Sequence, residues 1–147
     1  MIRLTPYKNT NFTYAEAKVT LGLRFEDNGV RSNKFFQLKL EMDQVNTLHL
    51  SWTLVHHITE NSPLYGFEQK DLAEIDGELI VFIRTFDDMY SSTVSTKTSY
   101  TFTEIIYGAK FEVMYAENET KTKTILQLDK LDSVIKVDLQ PFTLKEI

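Results

Sequence analysis

The sequence predicts an all-β sandwich or barrel carrying one short helix, and three observations lead there. Period-two alternation of apolar and polar residues runs through most of the chain. Turn chemistry interrupts it at the short intervals that β-sandwiches show. Residues 68–74 alone read as helix, about two turns with acids placed early.

The elements follow in order. Ala15, Ala17, Val19, Leu21, Leu23 and Phe25 share one face of a first strand. Tyr14, Glu16, Lys18 and Thr20 take the other, because successive strand side chains point to opposite sides. Asp27-Asn28-Gly29 is tight-turn chemistry and ends that strand. A second strand sets Phe36, Leu38, Leu40 and Met42 against Gln37, Lys39, Glu41 and Asp43. A polar corner at 43–46 precedes a third, with Leu48, Leu50, Trp52 and Leu54 on one side and His49, Ser51 and Thr53 on the other. Ser62-Pro63 opens a non-strand segment, and the helix over 68–74 is closed by Asp76-Gly77. Residues 79–83 lack alternation, the pattern of a central strand buried on both faces. Residues 94–103 alternate weakly, while Phe111, Val113 and Tyr115 alternate well. Residues 116–120 form a hairpin corner leading to strands over 125–128 and 134–139. Eight or nine strands result. No repeat, low-complexity run or linker divides the chain, so 1–147 reads as a single domain.

Composition narrows the function. With 42% hydrophobic and 25% charged residues the chain is neither a disordered acidic tail nor a membrane span. The absence of cysteine removes disulfides, thiolate metal sites and cysteine nucleophiles. The start lacks the apolar stretch of a secretory signal and the aliphatic run 79–83 is too short to cross a bilayer, so the chain is expected to be soluble. A net charge of −5 argues against nucleic acid, whose binders concentrate Lys and Arg, and makes cations the better guests. The Asn-x-Thr triplets at Asn11 and Asn118 read as ordinary loop residues.

Chemical motifs are sparse. His56 and His57 are adjacent with Glu60 nearby, but neighbouring strand side chains diverge, so packing and hydrogen bonding are the expected roles, not metal ligation. No nucleophile elbow, phosphate-cradling loop or helical metal motif occurs. The chain is therefore expected to be neither an enzyme nor a cofactor binder. Glu16, on the polar side of a regular strand, has a solvated surface charge as its ordinary meaning. Four copies aimed at one axis would give it another, because a ring of carboxylates focuses cations.

Two stretches carry a family resemblance. Residues 55–66, Val-His-His-Ile-Thr-Glu-Asn-Ser-Pro-Leu-Tyr-Gly, and residues 99–111, Ser-Tyr-Thr-Phe-Thr-Glu-Ile-Ile-Tyr-Gly-Ala-Lys-Phe, have the order and separation of two segments in inward-rectifier potassium channels. The chain resembles the cytoplasmic, C-terminal domain of such channels, in a prokaryotic form. The match runs over nearly its whole length and is loosest after about Glu119.

That resemblance implies an immunoglobulin-like sandwich working as one quarter of a homotetramer, joined to the membrane through a transmembrane part absent from these residues. It implies potassium and other cations in the pore, no nucleic acid, and a place at the cytoplasmic face of the cell membrane. No Thr-Val-Gly-Tyr-Gly filter is present, so these residues cannot select potassium alone, and Met1 is expected to mark a domain boundary. Residues 14–19 resemble the strand whose acid, here Glu16, lines the cytoplasmic pore. Residues 78–96 resemble the strand and apical loop that narrow it. Phe86, Ser91 and Ser92 fall where the constriction lies, and Asp88 keeps an acid in the loop. Phe86 and residues 87–94 would form a movable narrowing. Many members carry an acid where this chain has Arg84, a departure that weakens the case for strong polyamine or magnesium block. The alternative is a stand-alone soluble β-sandwich that binds a protein or lipid partner.

Overall fold

Short β1 (Ile2–Leu4) precedes the 16-residue β2 (Phe12–Asp27), the strand around which the first part of the chain is built. The computed structural model describes residues 1–8 and 11–138. The chain divides into two units, Met1–Ile105 and Ile106–Ile147.

In the first unit β2 turns back on β3 (Val30–Leu38) through the predicted tight turn, where Asn28 and Gly29 take φ of 50° and 78°. Those left-handed angles suit Asn and Gly and match the twist of paired strands. β4 (Gln44–Leu48) then pairs with the first half of β2, along the edge that β3 occupies further on. β5 (Trp52–Leu54) leaves this sheet and pairs with β1. Helix α1 (Gln69–Glu74) is capped by the Asp71 carboxylate, which accepts from the Glu68 N–H at 2.8 Å. β6 (Gly77–Asp87) lies along the other edge of β2, and β7 (Ser92–Thr101) completes a five-stranded antiparallel sheet in the order β3-β2-β6-β7, with β4 on β2.

In the second unit β8 (Ala109–Phe111) pairs with β11 (Val134–Lys136), and β9 (Tyr115–Glu117) with β10 (Thr124–Leu126). The β9–β10 turn is organised by Asn118. Its side-chain oxygen accepts from the Thr122 and Lys123 N–H groups at 2.8 and 2.9 Å, and its amide donates to Thr120 and Thr122 hydroxyls at 2.9 Å. Among the described residues, antiparallel sheets with one short α-helix make the fold all-β, as the sandwich class requires.

The core follows the first predicted face. Ala15, Ala17, Val19, Leu21 and Leu23 of β2 are buried, joined by Leu38, Leu48, Trp52, Leu54, Val81 and Ile83. Several expectations change. Phe25 is 42% exposed, because β2 outruns the core and its end is only a hairpin arm. Phe36 is exposed although it lies within β3, and Met42 is exposed beyond the strand's end at Leu38. The supposed corner at 43–46 includes the start of β4, and the supposed third strand is broken at 49–51, its halves belonging to different sheets. Residues 79–83 are central in pairing but not buried on both sides: Val81 and Ile83 are buried while Phe82 is 37% exposed. Phe111 and Tyr115 sit in different strands, and the buried residue between them is Met114, not Val113. β1 has no counterpart in the sequence reading, and Leu139, the predicted end of the last strand, lies outside the described residues.

Candidate functional site

Strand register brings the predicted site residues to one end of the five-stranded sheet. β2 turns Glu16, Lys18 and Thr20 away from the core, and β6 turns Ile80, Phe82, Arg84 and Phe86 the same way. Across the two strands Glu16 faces Arg84, and Lys18 faces Phe82. A β-bulge sets this alignment. Between the pairs Thr13↔Phe86 and Glu16↔Arg84, β2 uses one residue more than β6. Without it Ala15, not Glu16, would stand opposite Arg84. Tyr14, within the bulge, has φ of 51°, a left-handed conformation unusual for an aromatic residue.

The Glu16 carboxylate is engaged twice. An Arg84 guanidinium N–H donates to its Oε2 at 2.6 Å, and the Lys18 ammonium lies 3.8 Å from Oε1. Glu16 is the most covered of the three, its side chain 25% exposed against 56% for Arg84 and 53% for Lys18. The short bond is charge-assisted and directional, so it fixes where the carboxylate points more than it stabilises the fold. Tyr14, Glu16, Gln44, Arg84, Phe86 and Thr93 line an open groove of about 440 Å3 at this place.

The β6–β7 hairpin forms the rim. Asp87 is buried, and its carboxylate accepts from the Met89 and Tyr90 N–H groups at 2.9 and 3.4 Å, folding the turn. Asp88 is exposed and tied to β2: its Oδ1 accepts from the Thr13 hydroxyl at 3.2 Å, and its N–H donates to the Asn11 carbonyl at 3.1 Å. Ser91, with φ of 47°, and Ser92 are exposed at the turn, and Phe86, half-buried, pairs with Thr93. Of the predicted residues, Glu16 and Phe86 share the groove, while Asp88, Ser91 and Ser92 belong to the adjoining hairpin. The turn-forming role of Asp87 and the Glu16–Arg84 contact were not foreseen. An Asp before a polar turn is a recognisable signal for the first; the second needs a register that joins residues 68 apart.

His56 and His57 go to separate partners. His56 Nδ1 is 2.7 Å from the Lys39 carbonyl, which can only accept, so Nδ1 carries the proton. The Ser62 hydroxyl lies 2.8 Å from Nε2, and it accepts from the Leu64 N–H at 3.1 Å. His57 Nε2 lies 3.2 Å from Glu41. Among the described residues no three His, Asp or Glu side chains are placed to hold one metal ion, and no helix is long and apolar enough to cross a membrane.

The organised polar residues of this all-β chain form an exposed sheet face and its adjoining hairpin. Residues 24–147 match the family described as the inward rectifier potassium channel C-terminal domain, and the chain belongs to that family. ATP-sensitive inward rectifier potassium channel 12 of Gallus gallus is 32% identical over 71 residues, covering 48% of this chain and 17% of that protein. Inward rectifier potassium channel 4 of Homo sapiens is 33% identical over 70 residues, covering 48% and 16%. The matched segment thus spans about a sixth of these curated relatives. They are channels, and this chain is a channel domain, not an enzyme. Both are vertebrate proteins, and they lend no support to the expectation of a prokaryotic form.

Proposed function

We propose that this chain is the cytoplasmic pore and gating domain of a tetrameric inward-rectifier potassium channel. Residues 1–147 act in it as one functional domain, placed at the cytoplasmic face of the membrane by a transmembrane part. The observation that supports the reading is that Glu16 and Phe86 line one open groove at one end of the five-stranded sheet, with the 87–92 hairpin adjoining it. Four copies turning that end to a shared axis would line the intracellular ion path with Glu16, Phe86, Asp88, Ser91 and Ser92. Cations are its occupants, and the partner is three more copies of the chain.

In the full channel subunit Glu16→Gln is expected to weaken inward rectification or lower single-channel conductance, because each copy then presents Arg84 and Lys18 without their acid. Patch-clamp current–voltage curves measure this, and unchanged currents would remove Glu16 from the path. The hairpin supplies the second element. Its hydrogen bonds to Asn11 and Thr13 link the rim to the start of β2, and in this reading the two move together. Gating by rigid displacement of the domain would therefore carry Phe86 toward or away from the axis. Phe86→Ala is expected to raise open probability; wild-type gating and block in that variant would exclude Phe86 as the narrowing.

A further inference from the structure

Resting on the pore reading above, we propose that Arg84 is a positioning residue that holds the Glu16 carboxylate against its own sheet and so keeps it from binding cations directly. The geometry carries this. The guanidinium reaches Glu16 from the neighbouring strand at 2.6 Å, and the bulge at Tyr14 is what sets the two opposite each other. Lys18 covers the second carboxylate oxygen at 3.8 Å, leaving the acid the least exposed of the three. A carboxylate bound this way offers a passing cation a neutralised pair, not a ligand. On the same face the row above reads Lys18, Phe82 and Lys97 across β2, β6 and β7, with no acid among the three.

Two roles for Arg84 make different predictions. As a remote positive charge it would repel cations by the same amount whatever stood at position 16. As the group that holds Glu16, its loss does something more: the acid keeps only the looser Lys18 contact at 3.8 Å and its Oε2 becomes a direct ligand for a divalent or polyamine blocker.

The test is a double-mutant cycle in the full channel subunit: wild type, R84Q, E16Q and the double variant. The readout is voltage-dependent block by internal magnesium and, separately, by spermine. Arg84 is a surface side chain outside the core, so its replacement leaves the fold standing. R84Q is expected to strengthen block, and the strengthening should be about tenfold greater with Glu16 present than in the E16Q background. R84K, which restores a cation at hydrogen-bonding distance, should return block toward the wild-type value. Equal effects of R84Q in both backgrounds would overturn the proposal, since Arg84 would then act as charge alone. So would weaker block in E16Q with no change in R84Q, because Glu16 would already be available to the blocker. Block unaltered in every variant would instead defeat the pore reading, a separate result from the failure of the clamp.

Discussion

Leu21→Ala is expected to lower the stability of the domain by about 2–5 kcal/mol, the range for truncating a fully buried leucine. Leu21 has no exposed surface and lies mid-strand in β2, paired with Phe36 on one side and Leu79 on the other. Both flanking strands are held by ladder hydrogen bonds, so the space cannot close by collapse and the cavity persists. Against a total stability of roughly 5–15 kcal/mol for a domain, that loss is large. Urea unfolding should show a lower midpoint with an unchanged slope. Phe25→Ala is the informative comparison. It removes a larger side chain from the same face of the same strand, yet Phe25 is 42% exposed, with the Lys34 ammonium 5.3 Å above its ring. Its cost should stay below that of Leu21→Ala. Equal losses would mean that the core runs to the hairpin tip, contrary to the burial seen here.

The contrast also shows what alternation can and cannot convey. Side-chain period determines which face a residue takes, so the buried set from Ala15 to Leu23 was readable from residues 14–25 alone. It carries no information on where the partner surface ends, and Phe25 keeps the right parity beyond the edge of the core. Strand breaks are hidden for the same reason. Leu48, Trp52 and Leu54 are all buried, but the chain changes sheets between Leu48 and Trp52 without changing its pattern. The apolar run at 79–83 misled in the other direction. Phe82 points outward between Lys18 and Lys97, a setting that composition cannot separate from a buried one. In the site, the sequence supplied Glu16, Arg84 and Phe86 as isolated residues. Their meeting depends on a one-residue bulge and a pairing register, which are properties of the assembled sheet.

Gly77→Ala is expected to destabilise the domain by about 1–3 kcal/mol, as overpacking in a tight site does. The sequence assigned Gly77 to stopping the helix, but α1 ends at Glu74 and Gly77 is the first residue of β6, opposite Leu23. The constraint is one of space. A Cβ at position 77 would lie 2.6 Å from the Gly22 carbonyl oxygen and 2.8 Å from the Phe102 ring. The oxygen belongs to the backbone of the central strand, and the ring is buried, so neither yields cheaply. β6 would have to move away from β2 at the end from which its register with that strand is counted. Gly22→Ala tests the explanation one residue away in the sheet. There the new Cβ meets the Phe35 ring at 3.2 Å, and that side chain is 61% exposed and free to shift. Thermal unfolding of the two variants should differ clearly, with Gly22→Ala close to wild type. Because β6 also carries Arg84 and Phe86, a displaced Gly77→Ala strand that still folds should disturb the Glu16 contact seven residues further along. Equal melting temperatures for Gly77→Ala and wild type would mean that β2 and β6 stand further apart at this end than the Gly22 and Phe102 distances require.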